Sequence, residues 1–184
     1  MYIKDLQSCL KKADLIYSHT QIQAALKKQA EGINQHLNAI TNNNEAPVFL
    51  PVMNGGLIYA GQLLPLINIP VQVDYIHATR YRNSTRGYDL EWKVYPQHSL
   101  ENKVVVVLDD IFDEGHTLAA IVEYCKQQGA SEVLSSVLVT KQHERSEVDL
   151  KVDFSALEVP DRYVFGYGMD YKGYLRNADG IYAI

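Results

Sequence analysis

One stretch constrains the fold more than any other. After Lys103, Val104-Val105-Val106-Val107-Leu108 is a continuous apolar run that ends in two acids, Asp109-Asp110. A run without polar alternation belongs to a strand covered on both faces, as in a parallel sheet with helices on either side. Beyond a short polar stretch, Leu118, Ile121, Val122 and Cys125 recur at helical spacing. Gly129 supplies a helix stop, and Val133–Val139 reads as the next strand. Strand, helix and strand make a right-handed crossover. The expected fold class is therefore α/β, a doubly wound, mostly parallel sheet flanked by helices.

The remaining elements fit that frame. Ile22, Ala25, Leu26, Ile33 and Leu37 mark an apolar helix face over about Thr20–Leu37, with Ser18 or Thr20 as its cap. The turn-rich stretch Thr41–Pro47 leads to a strand, Val48–Met53, in which Pro51 requires a bulge or an edge position because it lacks a ladder donor. Gly55-Gly56 opens a helix through Leu64, and Val71–Ile76 reads as a strand after Pro70. Arg80–Trp92 is long and polar; the residues alone allow a mobile functional loop or a solvated hairpin.

Composition excludes several classes. With 184 residues, 47% of them hydrophobic, the chain suits one globular domain rather than a disordered polymer. No apolar run reaches the ~18 residues of a membrane helix, and the polar N-terminus, Met1–Leu6, carries no signal-peptide core. Two cysteines, Cys9 and Cys125, make no disulfide framework, so a cytoplasmic location is expected. A net charge of −5 disfavours nucleic acid, whose binding depends on neutralising many phosphates. His19, His36, His77, His98 and His143 show no metal-ligand spacing and read as solvated or locally hydrogen-bonded.

Chemistry concentrates after the valine run. Asp109–Thr117 reads as the turn between strand and helix, at the carboxyl end of a parallel strand, where open α/β sheets bind ligands. Gly115 lets backbone N–H groups face an anion, Thr117 adds a hydroxyl, and the helix N-terminus adds about half a positive charge. Asp109 and Asp110 can accept bonds from sugar hydroxyls or stabilise a developing cation. An acidic floor beside an anion-binding turn suits a phosphorylated sugar. A solvated acidic turn with Asp113 or Thr117 as a helix cap accounts equally for the residues alone.

The stretch V-V-V-V-L-D-D-I-F-D-E-G-H-T-L, Val104 to Leu118, resembles the phosphoribosyl pyrophosphate signature of type I phosphoribosyltransferases, with Glu114 in place of the usual Thr. Leu157–Tyr171, with its Val-Pro-Asp turn and Gly-Tyr-Gly-Met-Asp-Tyr, followed by Arg176-Asn177, is similar to the hypoxanthine-guanine branch of that family. Val52–Gly56 resembles its pyrophosphate loop, with Asn54 where Lys or Arg is frequent, and Arg80-Tyr81 occupies the place of the mobile loop's Ser-Tyr.

The resemblance implies one phosphoribosyltransferase domain over 1–184, with a core at about 45–145 and a small hood formed by the N-terminal and 150–184 segments. It implies transfer of the 5-phosphoribosyl group from 5-phosphoribosyl pyrophosphate to hypoxanthine or guanine, giving IMP or GMP plus pyrophosphate, with Mg²⁺ as cofactor. Asp109 and Asp110 would bind the ribose hydroxyls, and Asp113 would act as general acid/base at purine N7. Asp113, Glu114, Gly115, His116 and Thr117 would surround the 5′-phosphate. Lys141 would donate to the purine O6, Tyr163 would stack on the base, Val164 would read its edge, and Asp170 would complete that pocket. Asn54, Gly55 and Arg176 would meet pyrophosphate; Asp109, Asp110 and Asp170 would serve the metal. Arg80 and Tyr81 would belong to a lid that shields an oxocarbenium-like ribose from water. A homo-oligomer, dimer or tetramer, is implied as well. Alternatives are a xanthine-preferring phosphoribosyltransferase and a non-catalytic sensor of the phosphoribosyl donor that binds nucleic acid.

Overall fold

In chain order the elements are α1 (Ile3–Lys12), β1 (Asp14–Ser18), α2 (His19–Ile40), β2 (Val48–Pro51), α3 (Gly56–Leu63) with a 3-10 turn at Leu64–Leu66, β3 (Gln72–Val73), β4 (His77–Arg80), β5 (Leu90–Val94), β6 (Val104–Phe112), α4 (His116–Gln127), β7 (Glu132–Lys141), β8 (Phe154–Val159), β9 (Val164–Phe165) and β10 (Gly180–Ala183). The computed structural model describes residues 1–41, 45–80, 90–143 and 148–184. Strands pair in the order β3-β2-β6-β7-β8, all parallel. The chain runs outward from β2 to β3, then restarts at β6 and runs outward through β7 to β8. The carboxyl ends of β2 and β6 therefore meet at the switch point, where such sheets bind ligands.

The valine run separates two cores. Val106 and Leu108 face one side, with Ile22, Leu26, Ile33 and Leu37 of α2. Val105 and Val107 face the other, with Leu118, Ile121, Val122 and Cys125 of α4. Successive strand side chains point to opposite faces, so one apolar run serves both layers. Ser18 opens α2 as its cap: Gln21 Oε1 accepts its N–H at 2.9 Å and its hydroxyl at 2.8 Å. The N- and C-terminal segments form a separate antiparallel sheet, β1-β10-β9. Among the described residues, no helix is long and apolar enough to cross a membrane.

Several sequence expectations need correction. Asp109–Phe112 is strand, not turn: β6 continues because β7 keeps pairing, with Ile111 opposite Val139 and Phe112 opposite Thr140. Only Asp113–Gly115 separate β6 from α4. The helix cap is Gly115 itself, without a side-chain cap bond, rather than Asp113 or Thr117. Likewise Lys141 lies within β7. The expected strand Val71–Ile76 is regular only over Gln72–Val73: the N–H groups of Asp74 and Ile76 still bond Phe49 and Pro51 of β2 at 3.1 Å, but Pro51 has no N–H to complete the ladder between them, and the buried Asp74 carboxylate gathers the N–H groups of Tyr75, Gln97 and His98 at 2.8–2.9 Å. Pro51 sits in an interior strand, at its last residue. The Val52 N–H goes to Leu108, so the Pro51 nitrogen faces the Asp74–Ile76 segment, where the N–H it lacks leaves one ladder bond unmade. Arg80 and Leu90–Trp92 belong to the antiparallel hairpin β4–β5, not to a loop. Tyr81, and the lid proposed around it, lie outside the described residues.

Candidate active site

A cleft of about 560 Å³ opens at the switch point. It is lined by Val52–Gly55 after β2, Asp109, Asp110 and Ile111 of β6, Asp113 and Thr117 around the start of α4, and Lys141 at the end of β7. Tyr163, Val164, Met169, Asp170 and Arg176 form its opposite wall, and His77, Ala78, Thr79 and Lys93 reach in from the hairpin. The residues of β2, β6 and β7 meet because the parallel strands all end at the same edge of the sheet, and the β1-β10-β9 segment and the hairpin close over that edge.

The floor is acidic and dry. Asp109 and Asp110 are 8% and 7% exposed, and Asp109 Oδ1 accepts the Asp110 N–H at 3.0 Å. Burial, then the neighbouring charge of Asp110, push the Asp109 carboxyl well above the usual carboxylate range. Burial also raises Asp110, against the opposing pull of Arg176, whose guanidinium lies 3.8 Å away. A Cβ on Gly55 would overlap the Asp110 carboxylate, so only glycine allows the loop after β2 to lie on that floor.

Above the floor, Asp113 sits in a basic bracket. Lys141 Nζ reaches Oδ2 at 2.7 Å and His143 Nε2 reaches Oδ1 at 2.7 Å. Burial raises the Asp113 carboxyl, but the bonds from Lys141 and His143 outweigh it and hold the group below its ordinary range. Of the three side chains, Asp113 is the most open, at 36% exposure, against 13% for Lys141 and 5% for His143.

The far wall is braced from within. Arg176 donates to Gly168 O at 2.6 Å and to Asp170 Oδ1 at 2.8 Å. Asp170 Oδ2 accepts the Gly173 N–H at 2.7 Å, and the Asp170 carbonyl accepts the Tyr163 hydroxyl at 3.1 Å. Tyr163 is half exposed beside the cleft and meets Tyr171 edge-on, with ring centres 5.8 Å apart. Val164 is buried in β9.

Of the residues expected at an anion-binding turn, Asp113 and Thr117 line the cleft, whereas Glu114, Gly115 and His116 do not. Gly115 adopts φ +86°, and a Cβ there would stand 2.6 Å from Val148 Cγ2 and 2.7 Å from the Phe112 ring. Its glycine is demanded by the left-handed cap and by apolar crowding behind the turn. Four lining residues fall outside every motif singled out in the sequence: His77, Ala78, Thr79 and Lys93. His143, expected to be solvated or locally hydrogen-bonded, instead has a buried side chain that bonds Asp113, 30 residues away in the chain; its place two residues after Lys141 on an extended chain puts both on one side. Trp92 anchors the hairpin to α4, its ring centre 5.5 Å from Tyr95 and 5.2 Å from Tyr124.

Known proteins share this arrangement of chain. The phosphoribosyl transferase domain family matches residues 12–172. The hypoxanthine-guanine phosphoribosyltransferase of Bacillus subtilis is 32% identical over 133 residues, 71% of this chain and 73% of that protein. Among solved structures, a hypoxanthine-guanine phosphoribosyltransferase of Bacillus anthracis superposes with a TM-score of 0.84 at 27% identity, covering 93% of this chain and 98% of the other. The hypoxanthine phosphoribosyltransferase of Trypanosoma cruzi, in complex with the product IMP, shares the fold with a TM-score of 0.86 at 21% identity, covering 94% and 93%. With a family match spanning most of its length and a relative this similar over 71% of it, the chain belongs to the type I phosphoribosyltransferase family.

Proposed function

We propose that the protein transfers the 5-phosphoribosyl group of 5-phosphoribosyl pyrophosphate to hypoxanthine or guanine, forming IMP or GMP and pyrophosphate. The observation that carries this reading is the pair Asp113–Lys141 at the mouth of the acidic floor, 2.7 Å apart. A 6-oxopurine offers the matching pair, an N–H beside an exocyclic oxygen. Lys141 moves to that oxygen, which frees one oxygen of Asp113 to accept the ring proton as the opposite ring nitrogen attacks C1′. An ammonium only donates, so the amino group of adenine leaves it unmatched, the kind of discrimination that is large. Tyr163 stacks on the base and the Val164 backbone reads its edge.

Asp109 and Asp110 accept from the ribose hydroxyls, which relieves two buried acids that have Arg176 as their nearby cation. Thr117 and the first turn of α4 receive the 5′-phosphate, since the first amides of a helix have no partner within it. Asn54, Gly55 and Arg176 face the pyrophosphate. Among the described residues, no group of three His, Cys, Asp or Glu side chains converges on a metal site. The donor set still fits Mg²⁺, which keeps several waters and is commonly held by one or two carboxylates together with substrate oxygens. Asp109, Asp110 and Asp170 would hold it, Asp170 through water while keeping its bonds to Arg176 and Gly173. Bound, the ion would neutralise charge on the departing pyrophosphate. One domain over 1–184, a cytoplasmic location, a homo-oligomer and a lid that includes Tyr81 belong to the same reading.

The test is an assay with Mg²⁺ and 5-phosphoribosyl pyrophosphate, offering hypoxanthine, guanine, xanthine and adenine separately. Nucleotide from hypoxanthine or guanine but not from adenine is the expected result. Xanthine as the best acceptor would change the substrate. Absence of product from any of the four, beside measurable binding of the donor, would refute the enzymatic reading.

A further inference from the structure

Asp113 is held by two donors, and they differ in kind. Lys141 and His143 both end on its carboxylate, while Gln142 between them turns the other way, its N–H on the Val159 carbonyl at 2.9 Å and its side chain on Glu158 at 2.7 Å. Tied to β8 through Gln142, the chain presents Lys141 and His143 to the same side. Lys141 is a flexible stem that lines the cleft; His143 is a planar ring, 5% exposed, that does not line it. When a purine takes the ammonium, the imidazole stays.

We propose that His143 is a positioning residue for the transfer reaction: by holding Oδ1 of Asp113 it keeps Oδ2 turned toward the ring proton of the purine. The inference rests on the function proposed above. A carboxylate turns easily about its last torsion, whose preference is broad and two-fold. With Lys141 drawn to the purine, an unheld Asp113 would sample orientations in which neither oxygen meets the proton, and misplacement of that order lowers rate rather than affinity. The carboxylate accepts, so Nε2 carries the proton that makes the bond. Nothing leaves or enters His143 during the cycle; the purine proton passes to Asp113 Oδ2.

Reach separates positioning from packing. Glutamine places an amide N–H near the position of Nε2, whereas asparagine, of the same chemistry, stops one bond short. His143→Asn and His143→Gln are purified, their thermal midpoints measured, and kcat and KM determined for hypoxanthine and for 5-phosphoribosyl pyrophosphate. His143→Asn is expected to lower kcat ~10-fold, within the range that misplacement produces, with KM for the phosphoribosyl donor unchanged. His143→Gln should stay within about threefold of wild type. In an Asp113→Asn background, His143→Asn should add nothing, because residues that act as a unit are not additive. Wild-type kcat in His143→Asn, equal losses in both variants, or additive losses in the double variant would overturn the assignment. A wild type that makes no nucleotide from any 6-oxopurine overturns the proposed function and this role with it. An active wild type with indifferent variants overturns this role alone.

Discussion

Gly168 lies against the carbonyl oxygen of Gly55 with no room for a Cβ between them. Gly55 in turn lies against the Asp110 carboxylate, so the wall that carries Asp170 and the loop after β2 meet over the acidic floor as bare backbone. Gly168 also holds φ +113°, a conformation that favours glycine. Gly168→Ala combines steric overlap with a strained backbone. It should destabilise by ~2 kcal/mol or more, a fall of about 5 °C in thermal midpoint, and should lower turnover by displacing Arg176 and Asp170. A variant with wild-type midpoint and kinetics would show that the contact does not brace the site.

Asp113→Asn keeps the shape but removes the base. Turnover should fall ~10²-fold or more, and the thermal midpoint should fall as well, because Lys141 loses its charged partner. Because Lys141 and His143 outweigh burial and hold the wild-type carboxyl low, Asp113 protonates only below its ordinary range. The acid limb of kcat/KM therefore falls as pH drops through that lowered value. Lys141→Met removes one of the two donors and should move the limb upward. An acid limb that stays in place in Lys141→Met would separate it from Asp113.

Asp109 is ionised at a cost to the fold. Burial and the neighbouring Asp110 raise its carboxyl, so the folded state holds a proton to higher pH than the unfolded chain does. The stability linked to this group is full below the unfolded value, about 3.9, and is lost as pH rises through the folded one. Asp109→Asn, whose amide oxygen can still accept the Asp110 N–H, should raise the thermal midpoint of the unliganded protein at pH 8 by ~2–4 °C, roughly 1 kcal/mol in a domain of this size. The gain should shrink toward acid pH, and catalysis should be lost. A lower midpoint at pH 8 would contradict the assignment.

Asp74 shows the opposite sign. Burial raises its carboxyl, but bonds from His98, Tyr75 and Gln97 outweigh that and hold it down. Its contribution is present above the unfolded carboxylate value and is lost as pH falls through the lower folded one. Asp74→Asn should lose about 1–3 kcal/mol at pH 7, with the deficit against wild type closing below about pH 4 in denaturant titrations. A deficit that is the same at both pH values would mean that packing, not charge, fixes the β3–β4 bend.

The two thiols should differ in reactivity. Burial pushes the Cys125 thiol up to about 12, and the side chain lies in the α4 core. Cys9 is partly exposed on α1. Iodoacetamide at pH 8 should label Cys9 in the native protein and Cys125 only after denaturation. Equal labelling of both in the native state would place α4 among the loosely held elements.

The sheet was legible because its signal is local and apolar. The valine run, the helical spacing of Leu118, Ile121, Val122 and Cys125, and the punctuation by Gly129 each act within a few residues. The site was partly legible through its motifs: Asp109, Asp110, Asp113, Thr117, Lys141, Tyr163, Val164, Asp170, Arg176, Asn54 and Gly55 all line one cleft. Boundaries were not, because pairing partners set them. β6 extends through two acids only because β7 runs beside it, and β3 stops early because the strand beside it presents Pro51, which has no N–H to give, while Asp74 collects amides from a segment more than twenty residues away. The bracket of Lys141 and His143 on Asp113 joins the ends of two strands 28 and 30 residues apart. By itself the sequence determined which segments must be buried and which chemistry stands at the strand ends, since hydrophobic periodicity and residue type are properties of the chain. Which carboxylates lie dry, which are held by donors, and therefore which way each is shifted were decided only by tertiary structure, because desolvation and hydrogen bonding depend on what the fold brings alongside.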